Sequence, residues 1–342
     1  MKIDRKALCG ALESVKPGLA KDDSILEQAS SFAFMGNRIV TYNDTISISA
    51  EVPGLDLYGA IKAEDLYKFI KKLKKDEIEI SLGDNQVLIK SGRSKAGLNI
   101  YQTVVLPVKD ELGTISQWYD LPPDFITGVS LAYPLCSKDL TKPKLLCVHI
   151  REDGIIEASD GYRIMQYNTG DGIPVGDFLL IKNTARSLCS YGVTQIAQTQ
   201  GWTHFRTGDK RIIFSCRMFN DVYPDTSGFF KVKGTEIKLP KTLKDALELG
   251  SVFSNNTLDA VDMVDLLIED RKLLIRAENE NGSWFEESLN IRYEGEPIAF
   301  SIPPTFLIEL LNKCDSCILN DNTITFKGDK WTHVVALRIK ED

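Results

Sequence analysis

One order of elements recurs three times along this chain, and it constrains the fold more than any single motif. The first copy opens with "RKALCGALESV" (residues 5–15), where Leu8, Ala11, Leu12 and Val15 fall on one face of a helix. Short helix candidates return at "DFITGVSLAYPLC" (124–136) and at "TLKDALELGSVFS" (242–254), the latter with Leu243, Ala246, Leu247 and Gly250 on one face. Strand-like text follows each of them, at 31–54, 145–170 and 265–295, as short alternating runs broken by Gly, Asn or Asp. A second helix candidate comes next in each block: "KAEDLYKFIKKLKK", "IKNTARSLCSYG" and "PPTFLIELLNKC". Further strands close the blocks at 78–107, 195–225 and 316–339. Helix, strands, helix, strands, three times over, predicts an α+β chain of three similar domains with helices on one side of antiparallel sheet. Boundaries near "TISQWYDLPPD" and "SGFFKVKGTE" give domains 1–118, 119–231 and 232–342. Repetition of a small fold builds an extended surface or a ring more often than an active site.

The basic residues gather on the helix candidates. In residues 62–75, Leu66, Phe69, Ile70 and Leu73 form one apolar stripe, and Lys68, Lys71, Lys72 and Lys75 occupy the opposite face. Other helices repeat the bias: Lys2, Arg5, Lys6 and Lys16 on the first, Lys182 and Arg186 on the fourth, Lys241 and Lys244 on the fifth. A single basic helix face is ordinarily just solvated. Several of them in a chain with net charge -7 point to a shared anionic partner. Lysine suits a phosphate contact that reads no bases, being a point charge without a planar fork. Lys21 and the loop "SKDLTKPK", with Lys138, Lys142 and Lys144, extend the set.

Catalytic signatures are missing. The sequence holds no GxxxxGK[ST], GxGxxG, GxSxG or HExxH. Seven cysteines are scattered through apolar text, which suits free thiols in a reducing cytoplasm. Cys314 and Cys317 make one CxxC without a second pair, and His149, His204 and His333 do not complete a zinc site. The expectation is a non-enzyme with no cofactor and no metal. No apolar run is long enough to span a membrane, and "MKIDRKALCGALESV" lacks a signal peptide's apolar core, so a cytoplasmic protein is expected. In "IIEASDGYRIMQYN", the Asp160-Gly161 pair reads either as a catalytic carboxylate beside Arg163 or as a tight turn between strands; on the residues alone, hairpin and core is the simpler reading.

Taken in order, "ALESVKPGLA", "SGRSK", "SDGYR", "YPD" and "LLIRAENENG…EESLNIRYEG" resemble the bacterial-type DNA polymerase III beta sliding clamps over nearly the whole chain. The resemblance implies the DNA clamp fold, closed head to tail as a homodimeric ring of six similar domains. Such a ring encircles duplex DNA without regard to sequence and holds a polymerase on it. DNA-facing positions would be Lys6, Lys21, Lys68, Lys71, Lys72, Lys138, Lys142, Lys182, Arg186, Lys241 and Lys244. It also implies a hydrophobic groove that takes a short peptide from the polymerase, the clamp loader and other partners. Matching positions are Leu146, Ser159, Gly161, Tyr162, Arg163, Ile164 and Pro224, with Val334, Val335, Ala336 and Leu337. Ala96 and Leu98 would meet Val252 and Phe253 at the dimer interface. The implied location is the cytoplasm, in association with the nucleoid.

The chain departs from the family's pattern in places. The tail "HVVALRIKED" lacks a Met-Pro pair and runs longer, Thr226 stands where a tyrosine is common, and Ala96 stands where an aromatic is common. These departures suit a phage-encoded or otherwise divergent copy. The rival expectation is a clamp-derived regulator that binds clamp partners without encircling DNA.

Overall fold

Asp4 starts the first helix. Its backbone is extended, and its carboxylate accepts the Ala7 N–H at 2.7 Å, one of the donors that a helix start leaves without an internal partner. Helix α1 (Arg5–Val15) then buries Leu8, Ala11, Leu12 and Val15, the stripe its spacing predicts. Helix α2 (Ala63–Lys72) carries Glu64 and Asp65 in its first turn and Lys71 and Lys72 in its last, each sign where the helix dipole favours it. It buries Ala63, Leu66 and Ile70, while Phe69 and Leu73 are half-buried. Helices α3 (Phe125–Ala132), α4 (Lys182–Leu188), α5 (Leu243–Gly250) and α6 (Pro304–Leu311) follow. The candidate stretches around α3 and α5 run on as 3-10 turns at Tyr133–Leu135 and Ser251–Phe253. Pro304 opens α6, where its missing N–H breaks no helical hydrogen bond.

The computed structural model describes residues 1–23, 26–107, 115–254 and 262–339. Along it the expected order is present three times, with a pair of helices and two groups of strands in each repeat. By contacts the chain forms two compact units. One comprises Met1–Tyr133, His149–Gly154 and Asp171–Asp221, and the other Pro134–Val148, Ile155–Gly170 and Val222–Asp342.

In the first unit a four-stranded antiparallel sheet runs Lys2–Asp4, Glu77–Leu82, Gln86–Ser91, Ser94–Asn99, with the last strand at an edge. An eight-stranded sheet runs Leu57–Lys62, Ser31–Gly36, Arg38–Tyr42, Ile46–Glu51, Ile212–Arg217, Trp202–Thr207, Val193–Thr199, Tyr119–Asp120. Its centre is the pairing of Ile48 with Phe214, both fully buried, so strands far apart in sequence share one ladder. Helix α1 lies on this sheet, where the Thr41 hydroxyl donates to the Val15 carbonyl at 2.6 Å. The Tyr191 hydroxyl, just beyond α4, donates to the Ser14 carbonyl at 2.5 Å and ties that segment to α1.

In the second unit six strands lie in the order Ile155–Ser159, Arg163–Asn168, Trp331–Ala336, Thr323–Lys327, Ser316–Leu319, Thr235–Lys238. A five-stranded sheet runs Trp284–Asn290, Lys272–Glu278, Val264–Glu269, Ile298–Ile302, Arg338–Ile339. Helices α5 and α6 pack on each other, and their Leu243, Leu247, Leu307 and Leu310 share one core with Ile275, Phe326 and Val335.

Two buried histidines couple this packing to pH. His204 sits between the Thr199 and Ser215 hydroxyls, at 2.9 and 2.8 Å, and burial lowers its pKa from 6.5 to about 4. Burial, aided by the positive Arg163 and Lys313, lowers His333 to about 3. Both folded-state values lie below the unfolded value, so the unfolded chain takes up protons first as pH falls. Their stability contribution is complete above pH 6.5 and is lost progressively below it, down through the folded pKa values. Between pH 7 and pH 5 the unfolding free energy is expected to fall by about 2 kcal/mol for His204 alone. Urea midpoints at the two pH values check this, and equal midpoints would contradict it.

Candidate functional site

The segment Ser159–Arg163 is a turn that its own side chains hold closed. The Asp160 carboxylate accepts the N–H groups of Tyr162 and Arg163, both at 3.0 Å. The Ser159 hydroxyl donates to the Arg163 carbonyl at 2.8 Å and accepts the Gly161 N–H at 3.1 Å. Gly161 has φ +94°, a conformation that costs a glycine nothing. Asp160 therefore acts as a turn former, the second of the readings its sequence allows. Arg163 is clamped from two sides: its Nε donates to Asp160 at 3.0 Å and its Nη1 to Glu309 of α6 at 2.7 Å. The guanidinium also lies 4.0 Å from the centre of the Phe306 ring. The turn is thus pinned to helix α6.

Beyond the turn, strand Arg163–Asn168 pairs antiparallel with Trp331–Ala336, setting Ile164 opposite Val334 and Arg163 opposite Val335. Alternate strand residues point to opposite faces. Arg163 and Val335 therefore face α5 and α6, where Val335 joins the core, and Ile164 and Val334 face the other way. The ladder continues as the Ala336 N–H donates to the Tyr162 carbonyl at 2.9 Å. Ser159 shares the Ile164 face through its own pairing. Leu146 is half-buried, Pro224, Gly161 and Ala336 are exposed, Leu337 is half-buried, and Tyr162 is 50% exposed. The loop before Leu146 lies over the turn: a Cβ built at Gly161 would come 3.7 Å from the Lys142 ammonium and 4.0 Å from Leu145. The tail residues 340–342 lie outside the described residues.

Exposed apolar side chains near this turn that are not in the sequence-derived set include Leu140, Val222 and Phe229, the last 60% exposed. Phe229 stands on the 3-10 turn Ser227–Phe230, which packs against strand Trp331–Ala336. Phe229 also lines a cavity of about 280 Å³ with Val232 and Asn320–Thr323. Thr323 pairs with Ala336, which places that cavity beside the Ala336 end of the strand. No periodicity signals these residues, since they sit in turns where alternation is lost.

The basic residues are placed as follows. Lys68 and Lys71 lie on the exposed face of α2, but Lys68 pairs with Glu64, and Lys71 is 3.7 Å from Glu13 of α1. Lys6 is 3.3 Å from Asp76, Lys142 is 3.9 Å from Asp139 and Lys244 is 3.8 Å from Glu248. Lys21, Lys72, Lys138, Arg186 and Lys241 are exposed, and among the described residues they have no ion pair; Lys182 is half-buried. Lys16 and Lys71 lie on the Tyr67 ring, at 4.7 and 5.3 Å from its centre. Exposed pairs of this kind contribute little to stability, so they soften the positive face without removing it.

Two sheet edges carry the remaining positions. Ala96 and Leu98 are half-buried on the edge strand Ser94–Asn99, which also presents Lys95 with Arg93 beside it. In the other unit, Val252 is 63% exposed, and Phe253 stacks on Phe285 of the edge strand Trp284–Asn290, ring centres 6.2 Å apart. That strand presents Glu286. Among the described residues no group of His, Cys, Asp and Glu could hold a metal ion, and no helix is long and apolar enough to cross a membrane.

No family model matches the sequence. The chain is 23% identical over 257 residues to the beta sliding clamp of Buchnera aphidicola subsp. Acyrthosiphon pisum, covering 71% of this chain and 69% of that protein. Its structure is similar to that of the DNA polymerase III beta subunit from Pseudomonas aeruginosa (TM-score 0.85, 18% identity, 99% of this chain and 100% of that one). It is also similar to the DNA polymerase beta subunit of Streptococcus pyogenes (TM-score 0.85, 20% identity, 99% of each chain). A third similar structure is a Pseudomonas aeruginosa sliding clamp bound to griselimycin (TM-score 0.82, 17% identity, 99% of each chain).

Proposed function

We propose that this chain, which has the sliding-clamp fold, is a DNA sliding clamp: a processivity factor, not an enzyme, that encircles duplex DNA and tethers a polymerase. The observation that carries this reading is the likeness to beta clamps over 99% of the chain at a TM-score of 0.85. Blocks 1–118, 119–231 and 232–342 serve as three copies of one clamp domain, and two chains close head to tail into a ring. The two edge strands support that closure, because Lys95 and Arg93 on one and Glu286 on the other are complementary in charge.

Encirclement requires little direct affinity, since topology prevents dissociation. Helix lysines that are half neutralised by their own acids suit such a ring: they tolerate phosphate and hold it weakly, so the ring slides. The Ile164 and Val334 face, bounded by Leu146, Pro224 and the Tyr162 turn, serves as the groove for a short peptide from the polymerase, the clamp loader or other partners. Extended peptides dock by backbone hydrogen bonds with apolar anchors in pockets, and the exposed Ala336 end of this sheet together with the Phe229 cavity suits that mode. The place of action is DNA in the cytoplasm.

Light scattering at micromolar concentration tests the ring. Twice the chain mass is expected. A monomer throughout that range would overturn the ring and favour a regulator that binds clamp partners without encircling DNA.

A further inference from the structure

We infer that Glu157 and Thr226 form a latch that sets one wall of the peptide groove, which makes Thr226 a positioning residue for partner binding. The inference rests on the groove reading above. Glu157 lies on strand Ile155–Ser159, is 2% exposed, and its Oε2 accepts the Thr226 hydroxyl at 2.6 Å. Glu157 and Ser159 point to the same face, and Ser159 is paired with Ile164, so the carboxylate lies on the side of the sheet that carries Ile164 and Val334. Ile156, Ala158 and Ile164 around it are buried. A carboxylate out of reach of water is costly to deprive of a donor, so its bond to Thr226 constrains where the Thr226 backbone can sit.

Thr226 passes that constraint on. It caps the 3-10 turn Ser227–Phe230, and its carbonyl accepts the Phe229 N–H at 3.0 Å. The Asp225 carboxylate accepts the Ser227 N–H at 3.0 Å, which stiffens the same turn. Pro224 is two residues upstream, and Tyr223 before it is buried close to Glu157. The hydroxyl thus links the segment that carries Pro224 and Phe229 to the strand that carries Glu157. Nothing local in the sequence announces the pair, because its members are 69 residues apart.

The test is an anisotropy titration of the full-length protein with a fluorescein-labelled pentapeptide that has a polar first residue followed by leucine and phenylalanine anchors. Thr226→Val keeps the shape and removes the donor, and it is expected to weaken binding by about tenfold, the size of one lost hydrogen bond to a charged group. Thr226→Ser keeps the donor and should stay within about twofold of the unsubstituted protein, as should Glu157→Gln, which keeps the acceptor. Melting Thr226→Val and Thr226→Ser alongside the parent separates positioning from folding, since weaker binding by a protein that melts near the parent temperature reports the position of the wall. Binding at full strength by Thr226→Val would overturn the latch, as would an equal loss in Thr226→Ser. If the unsubstituted protein fails to bind the peptide, the groove reading itself falls and the latch with it. If it binds, and Leu146→Asp abolishes binding while Thr226→Val does not, the latch alone is refuted.

Discussion

Val334→Asp is expected to reduce affinity for a short leucine- and phenylalanine-anchored peptide by more than about 100-fold while leaving the solution mass unchanged. The unsubstituted groove should bind at micromolar strength, about -8 kcal/mol, with each buried apolar anchor contributing on the order of 2 kcal/mol. Val334 is 3% exposed and stands directly opposite Ile164, so an aspartate there buries a second carboxylate on the face that already holds Glu157 and that the proposed anchors would cover. The fold has one partial answer to that charge. Thr325 pairs with Val334 on the next strand, and its buried hydroxyl has no hydrogen bond among the described residues, so it is free to donate to the new carboxylate. Leu146→Asp serves as the milder companion, because Leu146 is only half-buried and its loss costs the core less. Titrating the labelled peptide against both variants, with light scattering in parallel, checks the expectation. Undiminished affinity in both would move the partner site elsewhere.

The second large effect is on DNA. Replacing Lys68, Lys71 and Lys72 together with glutamate reverses three charges on one helix face, a change of about six units, and residence on circular duplex DNA at low salt is expected to shorten sharply. Each phosphate contact removed lowers the slope of log affinity against log salt by roughly 0.9. Lys68 and Lys71 already face Glu64 and Glu13, so the drop should lie between about 0.9, for Lys72 alone, and about 2.7 for all three. Glutamate at 71 and 72 also opposes the helix dipole, at about 0.5 kcal/mol each, and the corresponding glutamine variants separate that cost from the loss of DNA contact. Base sequence should make no difference. An unchanged salt slope would show that this face of α2 does not meet DNA.

How much of this was legible in the sequence differs from element to element, for physical reasons. Helices α1 and α5 bury the residues their periodicity names, because a 3.6-residue repeat is a local property that any apolar surface can satisfy. The turn at Asp160-Gly161 was legible for the same reason: its hydrogen bonds close within five residues. The threefold order of elements needed no more than counting. What the sequence could not decide was which residues meet across the sheet. The consecutive positions Val334 and Val335 look alike on paper, yet the register with Ile164 and Arg163 sends one to the outer face and the other into the helix core. The resemblance names Arg163 as a groove position, and its contacts with Glu309 and Phe306 of α6 come only from tertiary packing. The lysine stripe of α2 was plain in the sequence, whereas its softening by Glu13 depends on α1 and α2 lying side by side. The Glu157–Thr226 bond joins residues 69 apart in the chain, and only the folded chain brings them within 2.6 Å. The sequence by itself thus determined the elements, their threefold order and the turn, because local periodicity and turn chemistry act over a few residues. Tertiary structure alone decided which face each strand residue serves and which charges are paired, because those depend on register and on contacts between segments far apart in the chain.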